Sequence, residues 1–520
     1  MDYIKNKCAF NLSLFMDWLK RNLDLPLGLL IVGCLFVFLP SFFPDFKILY
    51  VLGVWVWPFC LLYYCRQSGE CFKKSIFCLF LTAAISIRFG SDLVFFGLAA
   101  IASVVFYIPF FVDKHFCTKD APFYYTLIFP SVYSVVNITF TIFDVLAGGN
   151  LAYAQYDNRA LLQLTSVIGE YGLTFFICFV ASAAAYVVAH WEQVNAKRIG
   201  VAILLSVVAA HAWGFYILSG EADSNTIRLA QTIGPKLEQL PNGEWVNLPI
   251  ETNFESFNKI VNSAHEQNAE MLIMNEEAFT IADTNAPAFI ENAAMYAKKF
   301  SMPILLPLEV DYTDSLNKGR YKNVAFLFDS EGKIVAEYNK HKPLPIVETF
   351  DMDVGREKVP TIPLKIGGEN YLVSYAICYD GNFTEIVRAM GDSVQVYFNP
   401  SWDWEGLNDF HYRMLAVRAV ENGVNMVMIT YDGISVVTND YGKEIFRKGI
   451  EEIGYEKVFI TDVPTGFHVT VYGRFGNIIN WVYLVLAVLL LSVAVYRKHA
   501  KKPAASAKGL IQAIFPQVPG

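Results

Sequence analysis

The stretch Tyr371-Leu-Val-Ser-Tyr-Ala-Ile-Cys-Tyr-Asp380 decides how the chain is interpreted. Its apolar residues predict a short buried β-strand that runs into Cys378, and a helical pattern follows over 383–390. A thiol between a strand end and a helix N-terminus is well placed to be a nucleophile, and the helix dipole and nearby cations are expected to lower its pKa. An inert buried cysteine is the commoner alternative. Evidence from the rest of the chain is needed to choose between a nucleophile and an inert cysteine.

The composition indicates a membrane protein with a polar insertion. Of the 520 residues 54% are hydrophobic and 17% are charged, and the mean hydropathy is +0.35, which is too apolar for an ordinary soluble chain. No long basic tract is present, so we expect no nucleic-acid partner. The nine cysteines lack metal-binding spacing, and Cys378 alone lies in the long polar segment.

Eight apolar runs predict about eight membrane spans. Each is close to the roughly 20 residues that a helix needs to cross a bilayer, although the third is short. They lie at 26–43, 48–65, 74–89, 92–112, 122–143, 165–191, 199–218 and 478–496. Glu170 falls inside the sixth run, where a carboxylate is expected to face protein or a cavity, and an interhelical hydrogen bond explains it as well as a substrate role.

The cations between these runs orient the spans. Alternate loops are rich in Lys and Arg, whereas the loops between them hold only Lys47, Arg88 and Arg159. By the positive-inside rule both termini are cytoplasmic, and the segment between the last two spans lies outside. We therefore predict a membrane domain at 1–219, an outward domain at 220–475, a closing span at 476–497 and a cytoplasmic tail at 498–520.

The outward segment alternates strand and helix patterns. Such alternation, with a hairpin across Ser330-Glu-Gly332, predicts an α/β domain of mixed sheets covered by helices. Strands are predicted at 226–231, 270–275, 302–310, 322–329, 333–338, 361–366, 371–378, 393–399, 424–431 and 457–462. Helices are predicted at 251–267, 286–299, 383–390 and 406–422. No phosphate-binding glycine loop is present.

Three chemically active side chains follow predicted strands. Glu276, Lys340 and Cys378 each stand where a strand ends, and strand ends on one edge of stacked sheets can converge. A carboxylate that takes the thiol proton, an ammonium that stabilises an oxyanion and a thiolate that attacks form an acyl-transfer site. Solvated charges capping the strands remain an equal alternative at this point.

The order and context of these residues resemble the nitrilase, or carbon–nitrogen hydrolase, superfamily, and more closely the integral-membrane apolipoprotein N-acyltransferases of bacteria. The resemblance covers nearly the whole chain. It rests on Leu272-Ile-Met-Asn-Glu276, Tyr338-Asn-Lys340, Ala376-Ile-Cys-Tyr379, Asn399-Pro-Ser-Trp402 with His411, Arg418 and Glu421, Tyr472-Gly-Arg-Phe-Gly-Asn477, Leu151-Ala-Tyr-Ala-Gln155 and Tyr171-Gly172. The chain departs from the family where Asn275-Glu-Glu277 replaces Pro-Glu-Thr and where Asp380 replaces Glu.

The resemblance implies a fold and roles for individual residues. The fold would be a polytopic α-helical membrane domain of about eight spans with an extracytoplasmic nitrilase-like αββα sandwich. Glu276 would be the general base, Lys340 the oxyanion partner and Cys378 the nucleophile. Supporting positions would be Glu348, Tyr379 and Asp380. Substrate-binding positions would be Trp245, Trp402 and Trp404, although ordinary packing explains these tryptophans equally well.

The resemblance also implies an activity. Cys378 would take a fatty acyl chain from a membrane phospholipid and pass it to the α-amine of a diacylglyceryl-cysteine on an apolipoprotein, giving a triacylated lipoprotein. No metal or cofactor would be needed, and the enzyme would be a monomer in the bacterial inner membrane. A membrane-tethered amidase or nitrilase, with water replacing the amine, is the alternative, and a non-enzymatic assembly protein is a third reading that the intact Glu276, Lys340 and Cys378 oppose.

Overall fold

The computed structural model describes residues 25–42, 46–86, 93–142, 149–237, 247–345, 347–403 and 410–500. All eight predicted apolar runs contain helix. These helices are α1 Leu25–Phe42, α2 Lys47–Gln67, α3 Phe72–Ser86, α4 Leu93–Phe116, α5 Ile128–Ile142, α6 Thr165–Ala189, α7 Val194–Leu218 and, at the other end of the chain, α11 Val471–Ala500. Short 3-10 turns at Phe123–Leu127 and Leu151–Gln155 and a helical turn at Arg159–Leu162 connect them.

Among the described residues, six helical segments are long and apolar enough to cross a membrane. Helix α1, with 18 residues, and α3, with 15, are not among them, since a crossing needs about 20 residues. The polytopic membrane part is therefore confirmed. The count of eight crossings stays a prediction, as does the division of the chain into four units.

Two mixed β-sheets follow the seventh helix. The first has the strand order β13-β1-β2-β4-β5-β6 with β3 beside β4, and the second has the order β12-β11-β10-β9-β8-β7. The first contains β1 Thr226–Thr232, β2 Met271–Met274, β3 Phe279–Ala282, β4 Ile304–Asp311, β5 Tyr321–Phe328, β6 Ile334–Asn339 and β13 Val458–Pro464. The second contains β7 Thr361–Ile366, β8 Glu369–Tyr375, β9 Val396–Trp402, β10 Asn425–Tyr431, β11 Ile434–Thr438 and β12 Glu444–Gly449.

The two sheets face each other across one apolar core. Leu229 and Ile273 of the first sheet lie in the same buried cluster as Val373 and Met428 of the second. Helices α8 Ile250–Glu266 and α9 Ala286–Phe300 cover the other face of the first sheet through residues such as Phe257. Helix α10 His411–Asn422 packs on the second sheet, which completes the predicted αββα sandwich.

Helix α10 joins the sandwich to the membrane helices. All twelve of its residues are buried. Leu415 and Ala419 pack in the sandwich core, whereas Met414 and Val417 pack in the cluster of the membrane helices. A helix that is apolar on two faces needs a packing partner on each face. The sandwich therefore packs directly against the membrane helices through α10.

A buried charged triad lies in that contact. The Arg418 guanidinium is 2.7 Å from the Glu170 carboxylate and 3.0 Å from that of Glu421, and all three side chains are at most 1% exposed. Helix α6 kinks at Gly169, which has φ +69, and the freed backbone N–H of Glu170 donates to Glu421 at 2.6 Å. Glu170 therefore faces protein, as predicted for a carboxylate within a span.

Candidate active site

Glu276 and Lys340 meet at one edge of the first sheet. Glu276 follows the buried strand β2, and Lys340 follows β6. The Lys340 backbone N–H donates to the Asn323 carbonyl at 2.9 Å. This bond fixes, beside β5, the start of the segment 340–344, here called the lysine loop. The short strand β2 places its carboxyl end next to β4, so the Glu276 side chain enters the gap between the sheets.

An ion-pair network fills this gap. Lys340 Nζ lies 2.7 Å from Glu276 Oε1 and 2.7 Å from Glu348 Oε1. The other oxygen of Glu348 accepts the Leu344 N–H at 2.6 Å, so Glu348 both orients the ammonium and closes its loop. Asn323 Nδ2 donates to Glu276 Oε1 at 2.7 Å. These contacts give the carboxylate a single orientation, as a base must have.

Cys378 stands at the edge of the second sheet facing this network. Its φ is +47, a left-handed conformation that is uncommon for residues other than glycine. Asn399 holds the turn, because its Nδ2 donates to the Ala376 and Cys378 carbonyls at 2.9 and 3.2 Å. The thiol lies close enough to Glu276 and Lys340 for their charges to act on its pKa. The structure thus brings together the three residues that the sequence singled out.

Burial dominates the electrostatics of the site. It raises the pKa of Glu276, against the nearby Lys340 charge. Burial lowers the pKa of Lys340, but the Glu276 and Glu348 carboxylates outweigh it and hold this pKa well above its ordinary value. Burial and the Glu276 charge raise the pKa of Cys378 well above its ordinary value, with Lys340 opposing. The resting site therefore holds a thiol, and Glu276 is the group that we expect to deprotonate it.

The predicted lowering of the Cys378 pKa is accordingly wrong. The segment after Cys378 is a 3-10 turn, Cys378–Asn382, followed by a helix of five residues, Thr384–Arg388. So short a helix contributes little dipole, because the dipole sums over aligned peptides. Desolvation in the sheet interior then decides the direction.

Asp380 holds the lysine loop rather than the reacting atoms. Its carboxylate accepts from the Tyr338 hydroxyl at 2.9 Å and from the backbone N–H groups of His341 and Lys342 at 3.1 and 2.7 Å. Burial raises the pKa of Asp380 to about 7, against these donors and the Lys340 charge. The nucleophile turn and the lysine loop are therefore tied to each other through one carboxylate.

The remaining predicted site positions are Tyr379 and three tryptophans. Tyr379 is buried and packs edge-on against Phe383, at 5.0 Å between ring centroids. Trp402 is partly buried, packs against Tyr431 at 4.7 Å, and its carbonyl lies 3.9 Å from Cys378 Sγ. Trp245 and Trp404 lie outside the described residues.

Four residues around the site were not singled out as site residues from the sequence alone. Asn323 binds both Glu276 and Glu277, whose carboxylate accepts from Asn323 at 2.9 Å. Asp403 and His411 form a buried pair close to Cys378. In the sequence Glu277 stands out only as a departure from the family motif, and His411 only as part of a motif. Asn323 lies mid-strand, and no spacing in the sequence connects it to Glu276.

Among the residues that the structure describes, two groups of donor atoms are compact enough to consider a divalent cation. Carboxylate oxygens of Glu276, Glu277 and Glu348 lie within 4.8 Å of one another, but the Lys340 ammonium already sits between two of them. Cys378, Asp403 and His411 form the other group, in which the last two are hydrogen-bonded to each other. Neither is assigned as a metal centre, and the expectation that no metal is needed stays a prediction.

Comparison with known proteins gives one family match and several relatives. The carbon–nitrogen hydrolase family matches residues 237–456. A protein named apolipoprotein N-acyltransferase from Rickettsia prowazekii is 24% identical, over 76% of this chain and 82% of its own. One of the same name from Borreliella burgdorferi is 21% identical, over 66% and 70%. A crystal structure of an amidase from Nesterenkonia sp. is 20% identical with a TM-score of 0.38, over 47% of this chain and 92% of its own.

The αββα sandwich holds the buried Glu–Lys–Cys cluster, and residues 237–456 match the carbon–nitrogen hydrolase family. The relatives named apolipoprotein N-acyltransferase match more of the chain than the sandwich alone, so the chain is similar to them over part of its membrane helices as well.

Proposed function

We propose that this protein transfers a fatty acyl chain from a membrane phospholipid, through a thioester on Cys378, to the α-amine of the diacylglyceryl-cysteine of apolipoproteins. The observation that carries the proposal is the buried cluster of Glu276, Lys340 and Cys378 in a sandwich seated on membrane helices. The relatives' name, apolipoprotein N-acyltransferase, supports the choice of substrates.

The first half-reaction forms the thioester. Glu276 takes the proton of the Cys378 thiol as Sγ attacks the ester carbonyl of the phospholipid, and the developing oxyanion is stabilised by the Lys340 ammonium. The ester C–O bond breaks, and Glu276 returns the proton to the leaving glycerol oxygen, which gives a lysophospholipid. Because the thiol pKa is raised by burial, the proton transfer and the attack are coupled.

The second half-reaction consumes the thioester. The acceptor amine attacks the thioester carbonyl, the C–S bond breaks, and its electron pair returns to Cys378 Sγ with a proton. The product is an amide at the lipoprotein N-terminus. Two lipid substrates of this kind can keep their acyl chains in the bilayer, since the sandwich lies against the membrane helices.

The localisation is proposed from the distribution of cations between the spans, and the oligomeric state is a separate proposal. The sandwich would lie on the periplasmic side of the bacterial inner membrane, and both termini in the cytoplasm. We propose a monomer, with phospholipid and apolipoprotein as its partners and no nucleic acid. The amidase alternative is not favoured, because a hydrolase of soluble amides has no use for a membrane part of this size.

The direct test is the mass of a lipoprotein N-terminal peptide from cells that depend on this protein. The protein should add one acyl chain to the N-terminal cysteine, whereas Cys378→Ser, made in equal amount in the membrane, should leave the peptide diacylated. A diacylated peptide in the presence of the unmodified protein would contradict the proposal.

A further inference from the structure

A second proton acceptor lies beside Cys378, on the second sheet rather than on the Glu276 side. Asp403 follows β9, and His411 begins helix α10. Their side chains are 2% and 4% exposed, and His411 Nδ1 lies 2.8 Å from Asp403 Oδ1. A ring nitrogen of His411, an oxygen of Asp403 and Cys378 Sγ all lie within 4.8 Å of one another.

The surroundings fix the state of this pair. The Asp403 N–H donates to Tyr431 O and to Thr430 Oγ1, both at 3.0 Å, so the carboxylate is held in place by β10. A carboxylate only accepts hydrogen bonds, so Nδ1 of His411 is the donor to Asp403, and Nε2 is the ring nitrogen left to exchange a proton. Nε2 is buried and meets no hydrogen-bond partner among the described residues.

The chemistry of the second half-reaction requires such a group. An α-amine has an ordinary pKa of about 7.7–8.0, so at neutral pH the acceptor arrives largely as an ammonium. Conversion of an ammonium to an amide removes two protons from the nitrogen. Glu276 can carry one of them to Sγ, but the other needs a second acceptor. The first half-reaction moves a single proton, and one base suffices.

We propose that His411, oriented by Asp403, is the proton acceptor that converts the acceptor ammonium of the lipoprotein to the attacking amine. This inference rests on the proposed acyl transfer. Nε2 takes one proton from the ammonium, and the nitrogen then forms its bond to the thioester carbon. Glu276 passes the remaining proton from the nitrogen to Sγ as the C–S bond breaks. The imidazolium releases its proton to water after the product leaves.

The test separates the two half-reactions. Purified protein is loaded with phospholipid, and the acyl-enzyme is then discharged either by a diacylglyceryl peptide with a free amine or by hydroxylamine, which is largely unprotonated at neutral pH. His411→Gln should form acyl-enzyme and react with hydroxylamine within about twofold of the unmodified rate. Its discharge by the peptide should fall roughly 100-fold, the usual worth of one positioned base. Asp403→Asn should show the same selective defect.

The chain offers a matched control. His468 pairs with Asp440 at 2.9 Å and also has a buried, unpartnered Nε2, but its backbone N–H donates to Gly423 O, at the far end of α10 from His411. His468→Gln should leave all three rates unchanged.

Two results would overturn the inference: peptide discharge by His411→Gln at the unmodified rate, or an equal fall in all three rates, which would indicate a structural role. If the unmodified protein forms no acyl-enzyme, the proposed function itself fails, and the two failures are therefore distinguishable.

Discussion

Single residues set the chemistry of the site through burial. Glu276, Lys340 and Cys378 are at least nine-tenths buried, and desolvation is the first cause of the pKa direction of both the base and the thiol. Lys340 keeps its charge because two carboxylates face it at 2.7 Å. The resting nucleophile is therefore a thiol, which Glu276 deprotonates as it attacks, and not a preformed thiolate.

The pH dependence of acylation follows from Glu276. Burial raises its pKa above the ordinary 4.5, Lys340 lowers it, and Glu348 raises it further. A base acts when ionised, so acyl-enzyme formation should be lost as the pH falls through this raised pKa. Glu348→Gln removes one raising charge and should move the acidic limb to lower pH, while the maximal rate falls by up to about 100-fold because Lys340 is less well held.

This prediction is checked by the rate of acyl-enzyme formation measured across the acidic range. Glu337→Gln, at an exposed position of β6, is the control and should leave the limb in place. If the acidic limb of the pH–rate profile of Glu348→Gln is unchanged or moves to higher pH, Glu276 is not the titrating base.

Asp380 should matter for turnover and not for insertion into the membrane. Asp380→Ala removes the acceptor of the Tyr338 hydroxyl and of the His341 and Lys342 backbone N–H groups, at about 1–3 kcal/mol each, and frees the lysine loop. Turnover should fall at least tenfold. Asp380→Glu keeps the carboxylate and should retain more activity, although its extra methylene costs about 1–3 kcal/mol in a packed site.

The measurement is specific activity at equal membrane content. Glu369→Ala, exposed at the start of β8, is the control and should remain fully active. Full activity of Asp380→Ala would remove this carboxylate from the account of the site.

At the scale of elements, helix α10 connects chemistry to the membrane. It begins with His411 beside the thiol and carries Arg418 into the buried triad with Glu170 of α6. Arg418→Met leaves two carboxylates buried without their cation, and the loss of one partner of a buried pair typically costs about 3–5 kcal/mol. The melting temperature in detergent should therefore fall steeply.

The chain holds an exposed ion pair for comparison. Arg474 lies 2.7 Å from Asp392, with both side chains more than a third exposed, so Arg474→Met should cost less than about 1 kcal/mol. Equal losses in melting temperature for Arg418→Met and Arg474→Met would contradict the role assigned to the triad.

Elements also show what the sequence could and could not predict. Apolar periodicity located the eight apolar helices and ten of the strands, because long regular runs depend on local patterns. The strands Phe279–Ala282, Ile434–Thr438 and Glu444–Gly449 were missed, since the first is four residues long and the last is a polar edge strand. The helix after Cys378 was overestimated, and with it the direction of the thiol pKa.

The site itself was predictable only where a residue follows a strand. Glu276, Lys340 and Cys378 each do, and their motifs are compact. Asn323 reaches Glu276 from the middle of a strand, and Asp403 meets His411 eight residues further along the chain. Such contacts depend on strand register and loop path, which no local pattern in the sequence reveals.

At the scale of the whole molecule, the orientation in the membrane rests on loop charge. A membrane-impermeant thiol reagent, applied to intact spheroplasts in a background lacking other cysteines, should label Lys318→Cys in the sandwich. It should not label Lys197→Cys, in the first turn of α7, until the membrane is opened. Both positions are exposed in the structure. The reverse pattern would contradict the periplasmic placement.

The covalent intermediate tests the central claim most directly. Purified protein given phospholipid and no acceptor should gain the mass of one acyl chain on the peptide that contains Cys378, and hydroxylamine should remove it. Cys378→Ala should gain nothing. Glu276→Gln should gain little, because an unassisted thiol is only a few per cent thiolate at neutral pH. An acyl mass on any other residue, or none with any phospholipid, would contradict transfer through Cys378.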